Sequence, residues 1–248
     1  MYPYIHIILP SYTVMALIGG FFALCFTFFR LEKYSIPFPA FLKMVFFCVI
    51  GGFVGSKILF ALTQIPWLIS NFSLKNLVLL IPQSGLVFYG GLFGVIWTLM
   101  FMTRQDLSMR KNVFQLVVPA MPLFHAFGRI GCFLTGCCYG KDLPSPIMFG
   151  PIEVTQIPVQ LIESIAEFIL FVVLYVVGKK HDVNLLRLYL VAYAVIRFAD
   201  EFLRGDAARG VLFGLSTSQW ISIAIVIYYL AQAILQKAAD TLPKNKLL

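Results

Sequence analysis

Charged residues are scarce in this sequence. They make up 12% of its 248 residues, whereas an ordinary soluble domain carries about 25%. Hydrophobic residues make up 60%. This composition excludes a disordered chain, a coiled coil and a nucleic-acid-binding domain, even though the formal net charge is +8. The apolar residues fall in runs, and several runs reach the roughly 20 residues that a helix needs to cross a bilayer core.

Cysteines are also few. Five in a chain of this length exclude a small disulfide-framework protein. Cys25 and Cys48 lie within apolar runs and are interpreted as small buried hydrophobic residues. The other three, Cys132, Cys137 and Cys138, are clustered. Lys and Arg are absent from the first ten positions. No cleaved signal peptide is therefore predicted, and the first apolar run is interpreted as a retained span.

The apolar runs predict an all-α polytopic membrane protein with about seven transmembrane helices. Spanning strands are not expected, because single strands would expose backbone groups to lipid. The predicted spans run approximately from Ser11 to Phe29, Pro39 to Gln64, Gly85 to Met102, Val113 to Leu134, Val159 to Val177, Leu185 to Leu203 and Ser216 to Leu235. The stretch from Leu77 to Pro82 is expected to be interfacial or re-entrant. Residues 1–236 are expected to form one domain, and 237–248 a short polar tail.

The basic residues predict the orientation, because Lys and Arg concentrate in cytoplasmic segments. With the N-terminus outside, 12 of the 19 Lys and Arg residues fall in cytoplasmic segments. The sequence therefore predicts an external N-terminus and a cytoplasmic C-terminus. The exceptions are expected near the outer leaflet or buried: Lys57, Lys75, Arg129, Lys141, Arg197, Arg204 and Arg209. Ionisable groups inside a span are costly, so these cations indicate a functional site.

Small residues four apart predict close contacts between helices. Gly51 and Gly55 have this spacing, as do Gly90 and Gly94, and small residues let helix backbones approach in lipid. Plain helix packing is one interpretation. The alternative is that Gly90 and its neighbour Gly91 open space for a ligand.

The sixth predicted span carries a polar stripe. Its members recur at steps of three or four, which places them on one helical face: Tyr189, Tyr193, Arg197, Asp200, Glu201 and Arg204. Arg197 and Glu201 are expected to pair, leaving guanidinium donors for another acceptor. A purely structural ion pair is the alternative.

The fourth and fifth predicted spans carry further ionisable groups. Arg129 lies four residues after His125, within a glycine-rich segment whose exposed backbone suits a bound anion such as a lipid phosphate. Glu163 and Glu167 are predicted partners for the buried arginines. A structural role for Arg129 is the alternative. The whole constellation suits an anionic phospholipid headgroup, and equally an anion or proton pathway in a transporter.

Four segments resemble the signatures of a known family. Gly128-Arg129-Ile130-Gly131 through Gly140 resembles G-R-x-G-N-F-x-N-G-E…G; Tyr193-x-x-x-Arg197-x-x-x-Glu201-Phe202-x-Arg204 resembles Y-x-x-x-R-x-x-x-E-[FL]-x-R; Phe88-Tyr89-Gly90-Gly91 resembles F-H-G-G; and Pro158-Val159-Gln160-Leu161-Ile162-Glu163 resembles P-[ST]-Q-L-Y-E. On these motifs the chain resembles the prolipoprotein diacylglyceryl transferases, which are bacterial membrane enzymes.

The resemblance implies a transferase of lipoprotein biosynthesis in the bacterial cytoplasmic membrane. It implies transfer of a diacylglyceryl group from phosphatidylglycerol to the lipobox cysteine thiol of a preprolipoprotein, which forms a thioether. No cofactor and no metal is implied. The implied partners are the anionic phospholipid, the lipobox peptide and the bilayer, with no nucleic acid.

The resemblance also implies roles for residues. Arg129 and Arg197 would hold the phosphoglycerol, with Glu201 orienting Arg197 and Tyr89 at the position of the family's candidate base. The implied substrate-binding residues are Tyr12, Lys57, Gly90, Gly91, Gly128, Gly140, Gln160, Glu163, Tyr193 and Gln219.

The sequence departs from the family pattern around Arg129. Tyr89 replaces the family's histidine, and Lys57 replaces a common arginine. Cys132, Thr135 and Cys137 replace two asparagines and a glutamate of the signature. With Cys138, the two cysteines form a candidate thiol site. Three interpretations remain open for it: a disulfide or packing, a nucleophile or redox pair activated by Arg129, or a metal site with His125 as a further ligand.

Three functions remain open from the sequence. The first is the family reaction at an altered site. The second is transfer of a lipid-derived group to a different acceptor, through a paralogous enzyme. The third is a non-enzymatic anionic-lipid binder or anion transporter. His125 is either a satisfied interior histidine or a substitute for the missing base.

Overall fold

The structure, a computed structural model, describes residues 4–5, 9–65, 69, 73, 87–180, 183–205 and 211–241. Its α-helices are α1 (Ser11–Phe28), α2 (Phe38–Thr63), α3 (Phe88–Met102), α4 (Leu107–Val117), α5 (Ala120–Thr135), α6 (Val159–Lys180), α7 (Leu185–Leu203) and α8 (Thr217–Thr241). A short 3-10 helix covers Glu32–Tyr34. The predicted stretch from Leu77 to Pro82 and the predicted start of a span at Gly85 lie outside the described residues.

The chain is a mostly helical, polytopic membrane protein. In the described parts, five helical segments are long and apolar enough to cross a membrane: α1, α2, α4 with α5, α6, and α8 up to Ala238. Helix α3 is apolar but has only 15 residues. Large apolar side chains such as Leu17, Phe46 and Val49 are exposed, while Arg129, Glu163 and other charged side chains are buried. This inverted distribution is expected of a protein whose surface faces lipid.

Two local features differ from the sequence predictions. The expectation of an all-α chain is wrong at short antiparallel strand pairs: β1 (Tyr4–Ile5) with β2 (Leu9–Pro10), β3 (Asp142–Phe149) with β4 (Ile152–Gln156), and β5 (Val211–Leu212) with β6 (Leu215–Ser216). The first pair precedes α1 and the other two lie between helices, and the strands of each pair satisfy each other's backbone groups. The predicted fourth span is interrupted between α4 and α5, because Pro119 has no amide hydrogen to donate within a helix.

The chain divides into two compact units. The first comprises Met1–Leu24 and Val118–Leu248, and the second comprises Cys25–Val117. In the second unit, α2 and α3 meet through glycines, as predicted from their spacing. A Cβ on Gly55 would collide with the Gly90 carbonyl oxygen, and a Cβ on Gly94 would collide with that of Gly51. Only glycine allows this approach of the two backbones.

Helices α5, α6 and α7 of the first unit pack around polar side chains. The Ser164 hydroxyl donates a hydrogen bond to the Ala126 carbonyl oxygen (2.9 Å) and thereby joins α6 to α5. Helix α1 packs on α5 at Gly131, where a Cβ would lie 3.1 Å from the Tyr12 Cα. The Phe22 and Phe127 rings stack with centroids 5.3 Å apart at the same interface. Helix α8 continues to Thr241, into the segment predicted as a tail.

Candidate phosphate-binding site

Glu163 lies at the centre of the buried charges in the first unit. Its side chain on α6 is 2% exposed. Its Oε2 lies 2.8 Å from Arg129 Nε on α5 and 4.0 Å from Arg197 Nη1 on α7. Its Oε1 lies 3.7 Å from His125 Nε2. One carboxylate therefore joins three helices, which confirms that Glu163 pairs with the buried arginines. The assignment of Glu163 to substrate binding stays a prediction; its described contacts are with the two arginines and His125.

A second carboxylate, Glu167, contacts a histidine and not an arginine. Its Oε1 lies 3.3 Å from His125 Nδ1. His125 precedes Arg129 by one turn on α5, and Glu167 follows Glu163 by one turn on α6. Helices α5 and α6 are therefore antiparallel, with contacts one helical turn apart. The predicted pairing of Glu167 with an arginine is corrected by this geometry. The His125 ring also contacts the Tyr193 ring edge to face, with centroids 5.5 Å apart.

The polar stripe of α7 faces these carboxylates. Arg197 and Glu201 form the predicted hydrogen-bonded ion pair across one helical turn. Asp200 is buried on the same helix. Tyr193 and Tyr189 are buried and stack on each other. His125, Glu167 and Asp200 were noticed in the sequence but left out of the predicted site; their spacing of three or four from Arg129, Glu163 and Arg197 was the available signal.

Two guanidinium nitrogen atoms at this site have no hydrogen-bond acceptor in the described part of the chain. They are Arg129 Nη2 and Arg197 Nη1, and both are buried. Arginine is always charged and carries five N–H donors, so pairing with one carboxylate leaves some of these donors without an acceptor. Buried donors without an acceptor are costly. An anion with several oxygen atoms, such as a phosphate, is the chemistry that these donors accept.

The thiol cluster follows Arg129 at the end of α5. Gly136 ends the helix with φ 79°, and Cys138 also has a positive φ of 62°. The sulfur atoms of Cys132, Cys137 and Cys138 all lie within 4.8 Å of one another. All five cysteines are thiols in the structure, so the disulfide interpretation is not realised in it. Arg129 interacts electrostatically with Cys132 and Cys138, and Tyr12 with all three thiols.

The thiol of Cys137 is less acidic than an ordinary cysteine. A hydrogen bond with Cys132 lowers its pKa, but a hydrogen bond with Cys138 and burial raise the pKa by more, and the net direction is upward. This does not support the interpretation that Arg129 alone activates Cys137 as a nucleophile.

Backbone contacts fix the loop that follows the thiols. The Gln160 side-chain amide donates to the Cys137 carbonyl oxygen (2.6 Å). The Gly140 amide donates to the Ile157 carbonyl oxygen (2.9 Å), and the Lys141 amide donates to that of Leu203 (2.9 Å). The loop is thereby tied to the start of α6 and the end of α7.

The site glycines differ from one another. A Cβ on Gly140 would lie 2.6 Å from the Ile157 carbonyl oxygen, so glycine allows close packing at this position. The assignment of Gly140 to substrate binding stays a prediction. A Cβ on Gly128 would meet nothing within 4 Å. Gly128 therefore lies beside open space, next in sequence to Arg129.

The remaining predicted site residues have other surroundings. Gln219 caps α8, since its side-chain oxygen accepts from the Ser216 amide (3.0 Å). Tyr89 in the second unit is buried and stacks on Phe93. Gly90 packs closely against α2, where a Cβ would lie 2.4 Å from the Gly55 carbonyl oxygen, and Gly91 lies beside the same helix. Lys57 Nζ lies 5.5 Å from the centre of the Phe53 ring. Tyr12, Gln160, Glu163, Tyr193, Arg197, Glu201 and the thiols are in the first unit with Arg129.

Comparison with known proteins identifies the family. The model of the prolipoprotein diacylglyceryl transferase family matches residues 4–235. The chain belongs to the prolipoprotein diacylglyceryl transferase family. Among its relatives is the phosphatidylglycerol–prolipoprotein diacylglyceryl transferase of Clostridium tetani (strain Massachusetts / E88), which is 37% identical over 190 residues, covering 72% of this chain and 74% of the relative.

Two further relatives carry similar names. The phosphatidylglycerol–prolipoprotein diacylglyceryl transferase 2 of Clostridium perfringens (strain 13 / Type A) is 35% identical over 188 residues, covering 72% of each chain. The phosphatidylglycerol–prolipoprotein diacylglyceryl transferase of Idiomarina loihiensis (strain ATCC BAA-735 / DSM 15497 / L2-TR) is 32% identical over 214 residues, covering 82% of this chain and 78% of the relative. The family is thus one of transferases, as the sequence motifs indicated.

Proposed function

We propose that this protein transfers the diacylglyceryl group of phosphatidylglycerol to the cysteine thiol of a prolipoprotein. The observation that carries the proposal is the pair of buried arginines, Arg129 and Arg197, which share Glu163 and retain donors without an acceptor. The names of the relatives supply the two substrates. The arginine pair supplies a site for the phosphate of an anionic lipid.

The reaction needs stabilisation of a leaving phosphate. The acceptor sulfur attacks the glyceryl carbon, a C–S bond forms, and the C–O bond to the phosphate breaks. The bonding electrons move to the phosphate oxygen, and glycerol phosphate leaves. Fixed donors in a water-poor site stabilise this developing charge strongly. Arg129 and Arg197 take this role, and Glu163 and Glu201 hold their guanidinium groups in position.

The acceptor thiol must lose its proton to become nucleophilic. Tyr89 is a poor base at neutral pH, because the pKa of an ordinary tyrosine is about 10. His125 is better placed in the first unit: Glu167 Oε1 lies 3.3 Å from its Nδ1 and orients the ring, which leaves Nε2 to accept the proton. We assign His125 as the proton acceptor, with Glu167 as a positioning residue.

The membrane arrangement proposed is seven spans in the bacterial cytoplasmic membrane. The five long apolar segments, the shorter apolar α3 and the charged α7 support this number. The distribution of Lys and Arg supports an external N-terminus and a cytoplasmic C-terminus. A single functional domain over residues 1–236, with a short cytoplasmic tail, is part of the same proposal.

The test is turnover by purified protein in detergent. Labelled phosphatidylglycerol and a lipobox peptide are supplied, and mass spectrometry detects the thioether product. Arg197→Ala is expected to reduce turnover by about 10³-fold, the scale of losing one donor to a developing anion. Arg104→Ala is the matched control, because Arg104 is exposed and should leave turnover unchanged.

Three results would overturn the proposal. Full activity of Arg197→Ala would remove the arginine assignment. Lipid consumption without a modified peptide would indicate a paralogue with another acceptor. Solute flux through reconstituted vesicles without any new covalent product would indicate a transporter.

A further inference from the structure

We infer that Cys132, Cys137 and Cys138 form a binding site for Zn²⁺ beside the phosphate-binding arginines. Their three sulfur atoms converge to within 4.8 Å of one another. Sequence reasoning assigned no metal here and considered His125 as the further ligand that a metal would need. His125 instead contacts Glu163 and Glu167. The inference therefore depends on the three thiols and not on the histidine.

The spacing of the sulfur atoms suits a thiophilic cation. Zinc–sulfur bonds are about 2.3 Å long in tetrahedral sites, which puts neighbouring sulfur atoms about 3.8 Å apart. Sulfur atoms already within 4.8 Å need to move by roughly an ångström or less to reach that geometry. Thiolates select zinc over hard cations such as Mg²⁺ and Ca²⁺, which prefer oxygen ligands.

The surrounding structure holds the three thiols in position without the ion. Cys132 lies in the last turn of α5, and the Cys137 amide donates to its carbonyl oxygen (3.1 Å). Gln160, which is almost fully buried, fixes the Cys137 carbonyl from α6. Positive φ angles at Gly136 and Cys138 turn the chain back over the helix end. Such outer contacts orient the ligands of metal sites.

The charge of the neighbourhood also fits. Three thiolates and Zn²⁺ carry a net charge of about −1 together. Arg129 lies close enough to Cys132 and Cys138 to interact with them electrostatically, and it supplies a balancing cation. Cys132 is buried, whereas Cys137 and Cys138 are only half-buried, so the cluster is reachable from outside the helix packing.

The site leaves one coordination position for a further ligand. Among the described residues, no fourth His, Cys, Asp or Glu joins the group of three. Zinc sites with three protein ligands and an open position are typical of catalysis, whereas structural sites are closed by four. Resting on the proposed function, the acceptor cysteine would occupy this position: its S–H proton would pass to the acceptor assigned above, His125, and its sulfur would be held as a thiolate before attacking the glyceryl carbon.

This arrangement complements the base assigned above. A metal ion favours loss of the proton from a coordinating thiol, so His125 would suffice as the proton acceptor and Tyr89 need not act as one. The cysteines that replace the asparagines and glutamate of the family signature would then compensate for the tyrosine that replaces its histidine.

The first experiment measures metal binding without any substrate. Protein purified under reducing conditions is analysed for zinc by mass spectrometry, and the metal-free protein is titrated with Co²⁺. We expect one zinc per chain and a thiolate-to-cobalt charge-transfer absorption band. Cys132→Ser, Cys137→Ser and Cys138→Ser should each weaken Co²⁺ binding by about tenfold or more. Cys48→Ser is the matched control and should bind as wild type does. Absence of the charge-transfer band in the wild-type protein would overturn the inference without reliance on any variant.

The second experiment tests the open position. A lipobox peptide is added to the Co²⁺-loaded protein and compared with the same peptide carrying serine in place of the acceptor cysteine. We expect the cysteine peptide alone to intensify the charge-transfer band. An unchanged band with both peptides would overturn the role of the fourth position. Thioether formation by demonstrably zinc-free protein would do the same, while zinc binding without thioether product would contradict the proposed function and leave the metal site standing.

Discussion

The α2–α3 pair and the α5–α6–α7 group are held together by different physical means. The first pair meets through Gly51, Gly55, Gly90 and Gly94, with backbones in direct approach. The second group meets around ionisable side chains centred on Glu163. Both carry apolar outer faces. An apolar, lipid-facing surface therefore does not determine which contacts hold the inner faces together. In lipid the hydrophobic effect does not drive helices to associate, so glycine packing or ion pairs must do so.

The two kinds of contact serve different ends. Close packing of glycines gains dispersion contacts and needs no charged group. A buried cluster of charges is costly, and its members are stabilised only while they remain paired. The charged group is therefore the place where function, and not association alone, explains the residues.

The largest expected effect is the removal of the central charge in the α5–α6–α7 group. Glu163→Gln leaves Arg129 and Arg197 without their shared carboxylate. Loss of one member of a buried ion pair costs about 3–5 kcal/mol, so the free energy of unfolding in mixed micelles should fall by that amount. Glu153→Gln is the control, because Glu153 is exposed on strand β4. This substitution should change the free energy of unfolding little. A stable Glu163→Gln protein would show that the arginines do not depend on this carboxylate.

The next effect is expected in the α2–α3 pair. Gly94→Ala places a Cβ against the Gly51 carbonyl oxygen. Overpacking of this kind costs about 1–3 kcal/mol, measured as the free energy of unfolding. Gly20→Ala is the control, because a Cβ there meets nothing within 4 Å. Equal stability of the two variants would contradict the glycine-dependent contact.

A smaller effect is expected for Gly128→Ala in the α5–α6–α7 group, where KM and the free energy of unfolding distinguish ligand binding from packing. Gly128→Ala adds a Cβ into open space beside Arg129 and should leave the unfolding free energy unchanged or slightly higher. If the lipid phosphate approaches there, KM for phosphatidylglycerol should rise by about tenfold, the scale of one methylene in a binding pocket. The same measurement on Gly20→Ala provides the baseline. An unchanged KM would place the ligand elsewhere.

The smallest effect concerns one polar contact between neutral groups. Ser164→Ala removes the hydrogen bond from the Ser164 hydroxyl to the Ala126 carbonyl oxygen. Interhelical hydrogen bonds in membranes contribute about 0.6 kcal/mol on average, so the free energy of unfolding should fall by that amount. Ser108→Ala, at an exposed position, is the comparison. A loss as large as that of Glu163→Gln would mean that the hydroxyl, and not the charges, joins α5 to α6.

The sequence predicted those contacts that lie within one helix or depend on one spacing. The Arg197–Glu201 pair follows from a separation of four, and the Gly55–Gly90 contact from the small-residue pattern. The bounds of α7 match its predicted span, and Asn184 caps its start by accepting from the Arg187 amide. The β3–β4 strands were not foreseen: β4 alternates apolar and polar residues over only five positions, and β3 contains two prolines, which argue against a strand.

Contacts between helices were harder to predict. Sequence spacing placed Glu163 and Glu167 on one face but did not assign them to different partners. The pairing of His125 with Glu167 depends on the antiparallel alignment of α5 with α6. The Gln160 contact with Cys137 likewise depends on where α6 begins relative to the end of α5. These are properties of helix register, which local periodicity does not contain.

By itself the sequence determined the membrane class of this protein, most of its helices, and the residues whose charge is too costly to bury without a purpose. Hydropathy and periodicity are local, and each helix satisfies its own backbone in lipid. Only the tertiary structure decided that Glu163 pairs with two arginines and that Glu167 contacts His125. Those outcomes depend on distances of a few ångströms between separate helices, which packing sets and local sequence does not.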